Sequence, residues 1–228
     1  VPLTAAELWA QADGLVAFPA VYSVRLENPW VRLVRVRLPG GASLAKPSHP
    51  AGFMFHVYLS EADPVLFSHD GAPYEITRPP VTARNYRVGT ATPEVHAILN
   101  PSERHSDYLR VEYKTREPEH SRKRVHAPPL GTTSGAVVEH TDEMSRVTRV
   151  TIAACDSSAF DAAEGAPALL TLETNARITE RAGDEPRNAS AGDDRFVAPG
   201  GRLMLRNTRA APLQLLLFDS LTPAAEPP

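Results

Sequence analysis

Histidine is the residue type in this sequence best suited to chemistry, since a neutral imidazole ligates metals and titrates near neutral pH. Eight are present: His49, His56, His69, His96, His105, His120, His126 and His140. His49, His56 and His96 fall where strands are predicted or begin, positions from which a side chain can reach the inside of a barrel. The other five lie near loops or in a polar stretch and read as surface groups. A catalytic first-row metal site usually takes about three protein ligands. Whether His56 can join the other two depends on strand parity. With Met54 inward, His56 and Tyr58 face inward too; with Phe53 inward, His56 faces out. A bulge would exchange the two, and the sequence leaves both open. Cys155 is the single cysteine, which rules out an internal disulfide and a cysteine-based metal cluster. Gly40-Gly41 is a tight turn with no helix after it, and so is no phosphate loop.

The elements that must position these residues are strands. The 22 prolines and 13 glycines are scattered, and short apolar stretches between them imply many short strands joined by turns. One helix signal stands at the start, where Thr4-Ala5-Ala6-Glu7 reads as a capping box followed by Leu8, Trp9 and Ala12 before Gly14. From Tyr22 the period changes to two: Val34, Val36 and Leu38 alternate with Arg35 and Arg37. Further strands are predicted at Phe53–Leu59, Pro64–Ser68, Ala83–Val88, Val95–Leu99 and Tyr108–Tyr113. Residues 115–135 are polar and rich in turn formers, a linker by composition in which Arg122-Lys123-Arg124 is a solvated face. Strands then resume around Val147–Ile152, Ala168–Leu172, Arg195–Ala198, Leu203–Leu205 and Leu213–Phe218. Two strand series around one linker suggest a duplication, with Asn100 and Asn207 at matching places before Tyr108–Tyr113 and Leu213–Phe218. The expected organisation is a helical segment at 1–21, one barrel at 22–114, the linker at 115–135, a second barrel at 136–222 and a tail at 223–228.

Composition narrows the partners. The 228 residues suffice for two domains of about 100 residues each. With 24 basic and 27 acidic residues well mixed, nothing points to nucleic acid or an anionic membrane. No apolar run approaches the roughly 20 residues that span a bilayer. The start at Val1 suggests processing or trimming; signal removal would imply a periplasmic or secreted protein, and otherwise a cytoplasmic one is expected.

The run from Glu27-Asn28-Pro29-Trp30 to Val36, then Pro39-Gly40-Gly41 and Ser48-His49-Pro50, resembles the first half of a small cupin domain. The run from Pro93-Glu94-Val95-His96 to Asn100, followed by Tyr108–Tyr113, looks like the second half. The resemblance covers residues 22–114 directly and reaches 136–222 through the repeat. It implies an all-β chain of two tandem cupin-type, jelly-roll-like barrels with a short N-terminal helix. Cupins gather three His and one Glu on a divalent metal. Here His96 and Asn100 fit the second motif and His49 fits the first, whereas Pro47 and Phe53 or Met54 stand at the other two ligand positions. In the second barrel Leu203 takes the place of His96, and the region of Asp161, Ala163 and Glu164 has no histidine.

The resemblance therefore implies a degenerate metal site of His49, His96 and, by parity, His56. Its cofactor is either none or one divalent metal: iron, manganese, nickel, copper or zinc. The strand carrying Arg84, Tyr86 and Arg87 lines the barrel in cupins, so these residues would hold a carboxylate or phosphate; an exposed strand face is the alternative. The reading that follows is a non-catalytic protein with a small-molecule ligand in a polar pocket of the first barrel, at Tyr58, Arg84, Tyr86 and Asn100. The alternative is a metal-dependent oxygenase or isomerase using His49, His96 and His56. The second barrel would pack against the first or form a homodimer face.

Overall fold

The computed structural model describes residues 14–45, 48–49, 52–69, 73–91, 94–114, 123–143, 145–181 and 183–221. The helix signal at Thr4–Ala12 and the tail at 223–228 lie outside them. The chain divides into two units, Val1–Ala127 and Pro128–Pro228. The division falls inside the stretch expected as a linker, yet part of that stretch is a strand of the first unit.

The first unit opens with one helical turn, α1 (Gly14–Ala17), then β1 (Tyr22–Glu27), β2 (Val31–Leu38), β3 (Ser43–Leu44) and β4 (Ser48–His49). It continues with β5 (Gly52–Tyr58), β6 (Val65–His69), β7 (Glu75–Arg78) and β8 (Tyr86–Ala91). It ends with β9 (Glu94–Leu99), β10 (Ser106–Tyr113) and β11 (Lys123–Val125). One sheet has the order β1-β2-β10-β5-β8-β11; the other is β3-β9-β6-β7, with β4 also on β9. The second unit holds β12 (Gly135–Thr141), β13 (Ser145–Ile152), β14 (Ser157–Asp161), β15 (Ala168–Leu172) and β16 (Ala176–Thr179). There follow β17 (Arg187–Ala189), β18 (Asp194–Val197), β19 (Arg202–Asn207) and β20 (Leu213–Ser220). Its sheets are β12-β13-β20-β15-β18 and β14-β19-β16-β17. With β4 and β11 set aside, the two units have the same order strand for strand.

Alternation explains each interior. In the first unit Val34, Val36 and Leu38 of β2 pack with Leu44, Val65 and Ile98 of the other sheet. In the second, Val150, Ile152, Leu170, Leu172, Leu213 and Leu215 pack with Ile178 and Leu205. Both units are thus two sheets closed face to face on apolar side chains.

Two asparagines pin the repeat. The Asn100 amide nitrogen donates to the carbonyls of Pro39 at 2.9 Å and Arg104 at 2.8 Å, and its oxygen accepts from the Ser102 N–H at 3.3 Å. The Asn207 nitrogen donates to the carbonyls of Ile152 at 3.2 Å, Ala153 at 3.1 Å and Ala211 at 2.8 Å, and its oxygen accepts from the Arg209 N–H at 3.1 Å. Each amide ties the turn before the last long strand to the end of the second strand. Asn100, expected among ligand-binding residues, therefore binds its own main chain. The turns it holds also match: Gly41 has φ +71° and its counterpart Cys155 has φ +61°. The first is free for glycine, whereas a left-handed cysteine is strained. Gly40 fits because a Cβ there would meet the Glu103 carbonyl oxygen at 2.1 Å.

Three sequence expectations change. Lys123–Val125 pairs with Tyr86–Val88 instead of belonging to a linker. The strand expected from Ala83 starts at Tyr86, because Arg84 is left-handed at φ +71° and the Asn85 N–H closes a turn on Thr82 O. Strands β3, β7, β12, β14, β16 and β17 are not among the expected ones; Ala176–Thr179 and Arg187–Ala189 are short and carry charged residues, and β12 exposes Val137 and Val138.

Asn100→Ala and Asn207→Ala should each cost about 1–3 kcal/mol by orphaning buried carbonyls, read as a lower urea midpoint. Cys155→Gly should raise stability by about 1 kcal/mol in the same measurement.

Candidate ligand site in the first barrel

The middle strand β10 sets what faces inward. Ser106 stands opposite Leu38, Tyr108 between Val36 and Tyr58, and Arg110 between Val34 and His56. Because Val34, Val36 and Leu38 belong to the interior cluster, Tyr58, His56 and Met54 share that face. One ladder further, Arg87 stands opposite His56. Residues of the other parity lie on the outer face, where Phe55 meets Tyr86 with ring centroids 6.4 Å apart and Tyr113 at 5.8 Å.

A small cavity, partly open to solvent, lies between the two sheets of this barrel. One wall carries His56, Tyr58, Arg87, Ser106 and Tyr108, with Tyr22, Val36 and Leu38 beside them. The facing wall carries Val65, Phe67, Arg78 and Ile98. Polar and aromatic groups thus converge on an otherwise aliphatic space, the usual composition of a small-molecule site.

The charges are unevenly matched. Glu112 accepts from Arg32 Nε at 2.6 Å and pairs with Arg110 Nε at 2.6 Å. Arg110 also lies 5.7 Å over the Tyr22 ring. Arg78 is buried, donating to Ser106 Oγ at 2.9 Å and Asp63 O at 2.6 Å, and lies 5.8 Å over the Tyr58 ring. Burial lowers the pKa of Arg78, with Tyr108 and Tyr58 opposing and Arg87 and Arg124 adding to the drop. Burial also raises the phenols of Tyr22 and Tyr108 above their ordinary value, against the pull of Arg110.

A scan against protein-family models finds no match, and a sequence search of curated proteins finds none. Likeness appears in the backbone. YhhW from Escherichia coli superposes with TM-score 0.56 at 14% identity, over 91% of this chain and 90% of that one. The cupin 2 conserved barrel domain protein from Leptotrichia buccalis gives 0.53 at 10%, over 87% of each chain. Salicylate 1,2-dioxygenase from Pseudaminobacter salicylatoxidans gives 0.53 at 10%, over 84% of this chain and 71% of that one. The chain has the bicupin fold.

Within this fold the expected site residues separate. His56 and Tyr58 line the cavity. His96 is buried, edge-on to Phe67 with centroids 4.9 Å apart. His49 pairs through its backbone with Glu94, and its side chain lies outside the described residues. Arg84 is in the turn before β8, where its N–H donates to Tyr58 O at 2.7 Å. Tyr86 is on the outer face, and it is Arg87 that lines the cavity. Sequence reasoning missed Arg78, Ser106 and Tyr108. Parity from Val36 and Leu38 would have found the last two once β2 and β10 were paired; Arg78, in a segment without alternation, gave no signal.

Among the described residues no group of three or more His, Cys, Asp or Glu could hold a metal ion. His56 stands between Arg110 and Arg87 in the ladder, with Arg110 paired to Glu112.

The second barrel offers an internal comparison. Counting from the asparagines and through the ladders, His56 corresponds to Leu170, Tyr58 to Leu172, Ser106 to Leu213 and Tyr108 to Leu215. All four leucines are fully buried in that core.

Since Tyr22 and Tyr108 ionise less readily folded than unfolded, their contribution to stability is complete below the unfolded phenol pKa near 10 and is lost as pH rises beyond it. Denaturant midpoints between about pH 8 and pH 11 should fall steeply for the parent chain and less steeply for Tyr22→Phe and Tyr108→Phe.

Proposed function

We propose that the protein binds a small molecule in the cavity of its first barrel without catalysing a reaction on it, and that the second barrel is a structural copy with a filled interior. The observation that carries this reading is the exchange of His56, Tyr58, Ser106 and Tyr108 for four leucines on the same scaffold. Each buried leucine contributes about 1.5–3 kcal/mol relative to exposure, so polar groups at the four places in the first barrel forgo stability. A binding role accounts for that. The test is to give the first barrel the interior of the second. His56→Leu, Tyr58→Leu and Tyr108→Leu together should keep or raise the melting temperature while abolishing every ligand-induced shift seen with the parent chain in a small-molecule thermal screen. Retention of those shifts would remove the cavity as the binding site.

A second reading, a metal-dependent cupin of oxygenase or isomerase type, is favoured by one observation: His56 and His96 both lie on inner faces of the first barrel. Metal content of the purified protein separates the two. Stoichiometric metal lost in both His56→Ala and His96→Ala would favour the enzyme; a metal-free protein that still responds to ligands favours binding.

A further inference from the structure

The two barrels differ in how they neutralise a pair of arginines. In the second, Arg195 stands opposite Leu170 and Arg187 opposite Ile178, and the Glu180 carboxylate accepts from both guanidiniums. The ladders carry each position across. Leu170 corresponds to His56, so Arg195 corresponds to Arg87. Thr179 pairs with Arg206 as Leu66 pairs with Leu99, which makes Ile178 the counterpart of Val65 and Glu180 that of Phe67. Val65 pairs with Arg78 as Ile178 pairs with Arg187. The first barrel therefore keeps both arginines and has a phenyl ring where the second has the carboxylate.

Nothing else among the described residues takes that carboxylate's part. Arg78, 4% exposed, is held by one hydroxyl, one carbonyl and a ring face. Arg87 lines the cavity and has no ion pair among the described residues. The nearby acids are engaged: Glu112 by Arg32 and Arg110, Asp107 by Arg35, and the Asp63 carboxylate by the Ser102 hydroxyl. A buried guanidinium without a counter-charge is costly, more so with a second cation acting on it. Each guanidinium offers a planar fork of donors suited to a carboxylate.

We propose that the first barrel takes from solution the carboxylate that the second builds in as Glu180. Its ligand is a small organic carboxylate with an apolar body, the charged end between Arg78 and Arg87 and the body against Phe67, Val65, Ile98 and Val36. Inorganic anions fit less well, since those walls leave most of their hydration unreplaced. This rests on the binding reading above and names the ligand class for the same cavity.

Calorimetric titration of the full chain with acetate, butyrate and benzoate, and with benzamide and inorganic phosphate, tests it. Butyrate or benzoate should bind one per chain, at least roughly ten-fold tighter than benzamide or phosphate, the loss expected for a charge-assisted hydrogen bond. Arg87→Leu should weaken binding by a similar factor. Phe67→Glu should abolish it and raise the melting temperature, because the barrel then supplies its own carboxylate; circular dichroism checks that both variants fold. Benzamide binding as tightly as benzoate would overturn the carboxylate while leaving a small-molecule cavity. Tighter binding of phosphate would overturn it in favour of an inorganic anion. Failure of all three carboxylates at millimolar concentration would overturn it outright. If Phe67→Glu does not fold, unchanged benzoate affinity in Arg87→Leu would decide against it alone.

Discussion

The amide of Asn100 uses both hydrogens and its oxygen on main-chain groups, joining the end of β2 to the turn that starts β10. That tie fixes the register of two long neighbouring strands. Register in a sheet is unforgiving, because a slip of one residue exchanges the inner and outer faces. With Ser106 opposite Leu38, the inward set is Ser106, Tyr108 and Arg110, and pairing with β5 brings Tyr58 and His56 to the same side. Asn207 does the same for β13 and β20, where the inward set is Leu213, Leu215 and Leu217. One polar side chain thus decides, in each barrel, which residues can meet inside.

Other hydrogen-bonded features repeat with that frame. Arg32 pairs with Glu112 as Arg146 pairs with Asp219. The Asn28 oxygen caps the N–H of Val31 as the Asp142 oxygen caps that of Ser145. These groups sit at hairpins and strand ends, where unpaired backbone must be satisfied whatever the interior holds. The interiors have diverged instead. An apolar core tolerates substitution when volume is filled, and the second barrel fills it with leucine.

The first barrel gives up part of that filling for phenols, an imidazole and guanidiniums. Such groups stay buried at acceptable cost only with partners. Arg110 has Glu112 and the Tyr22 ring, whereas Arg78 has neutral groups alone. Burial explains why the phenols resist ionisation even though arginines stand near them, and the cross-strand neighbours of His56 are both arginines.

By itself the sequence determined that this is an all-β protein made twice, since period-two alternation, scattered prolines and glycines, and the paired asparagines are local signals. Motif resemblance added the barrel type. It also pointed to His56 and Tyr58 as candidates, conditional on parity. Tertiary structure decided the parity, because the face of β5 depends on its pairing with β10 and not on its own residues. It decided that Arg87 rather than Tyr86 faces the cavity, since the left-handed Arg84 delays the start of β8. It gave Asn100 a structural task that its motif position does not reveal. Arg78 was invisible from sequence for a plain reason. Its role arises from a bulged pairing with Val65 and from groups distant along the chain, Tyr58 and Ser106, that only the closed barrel brings beside it.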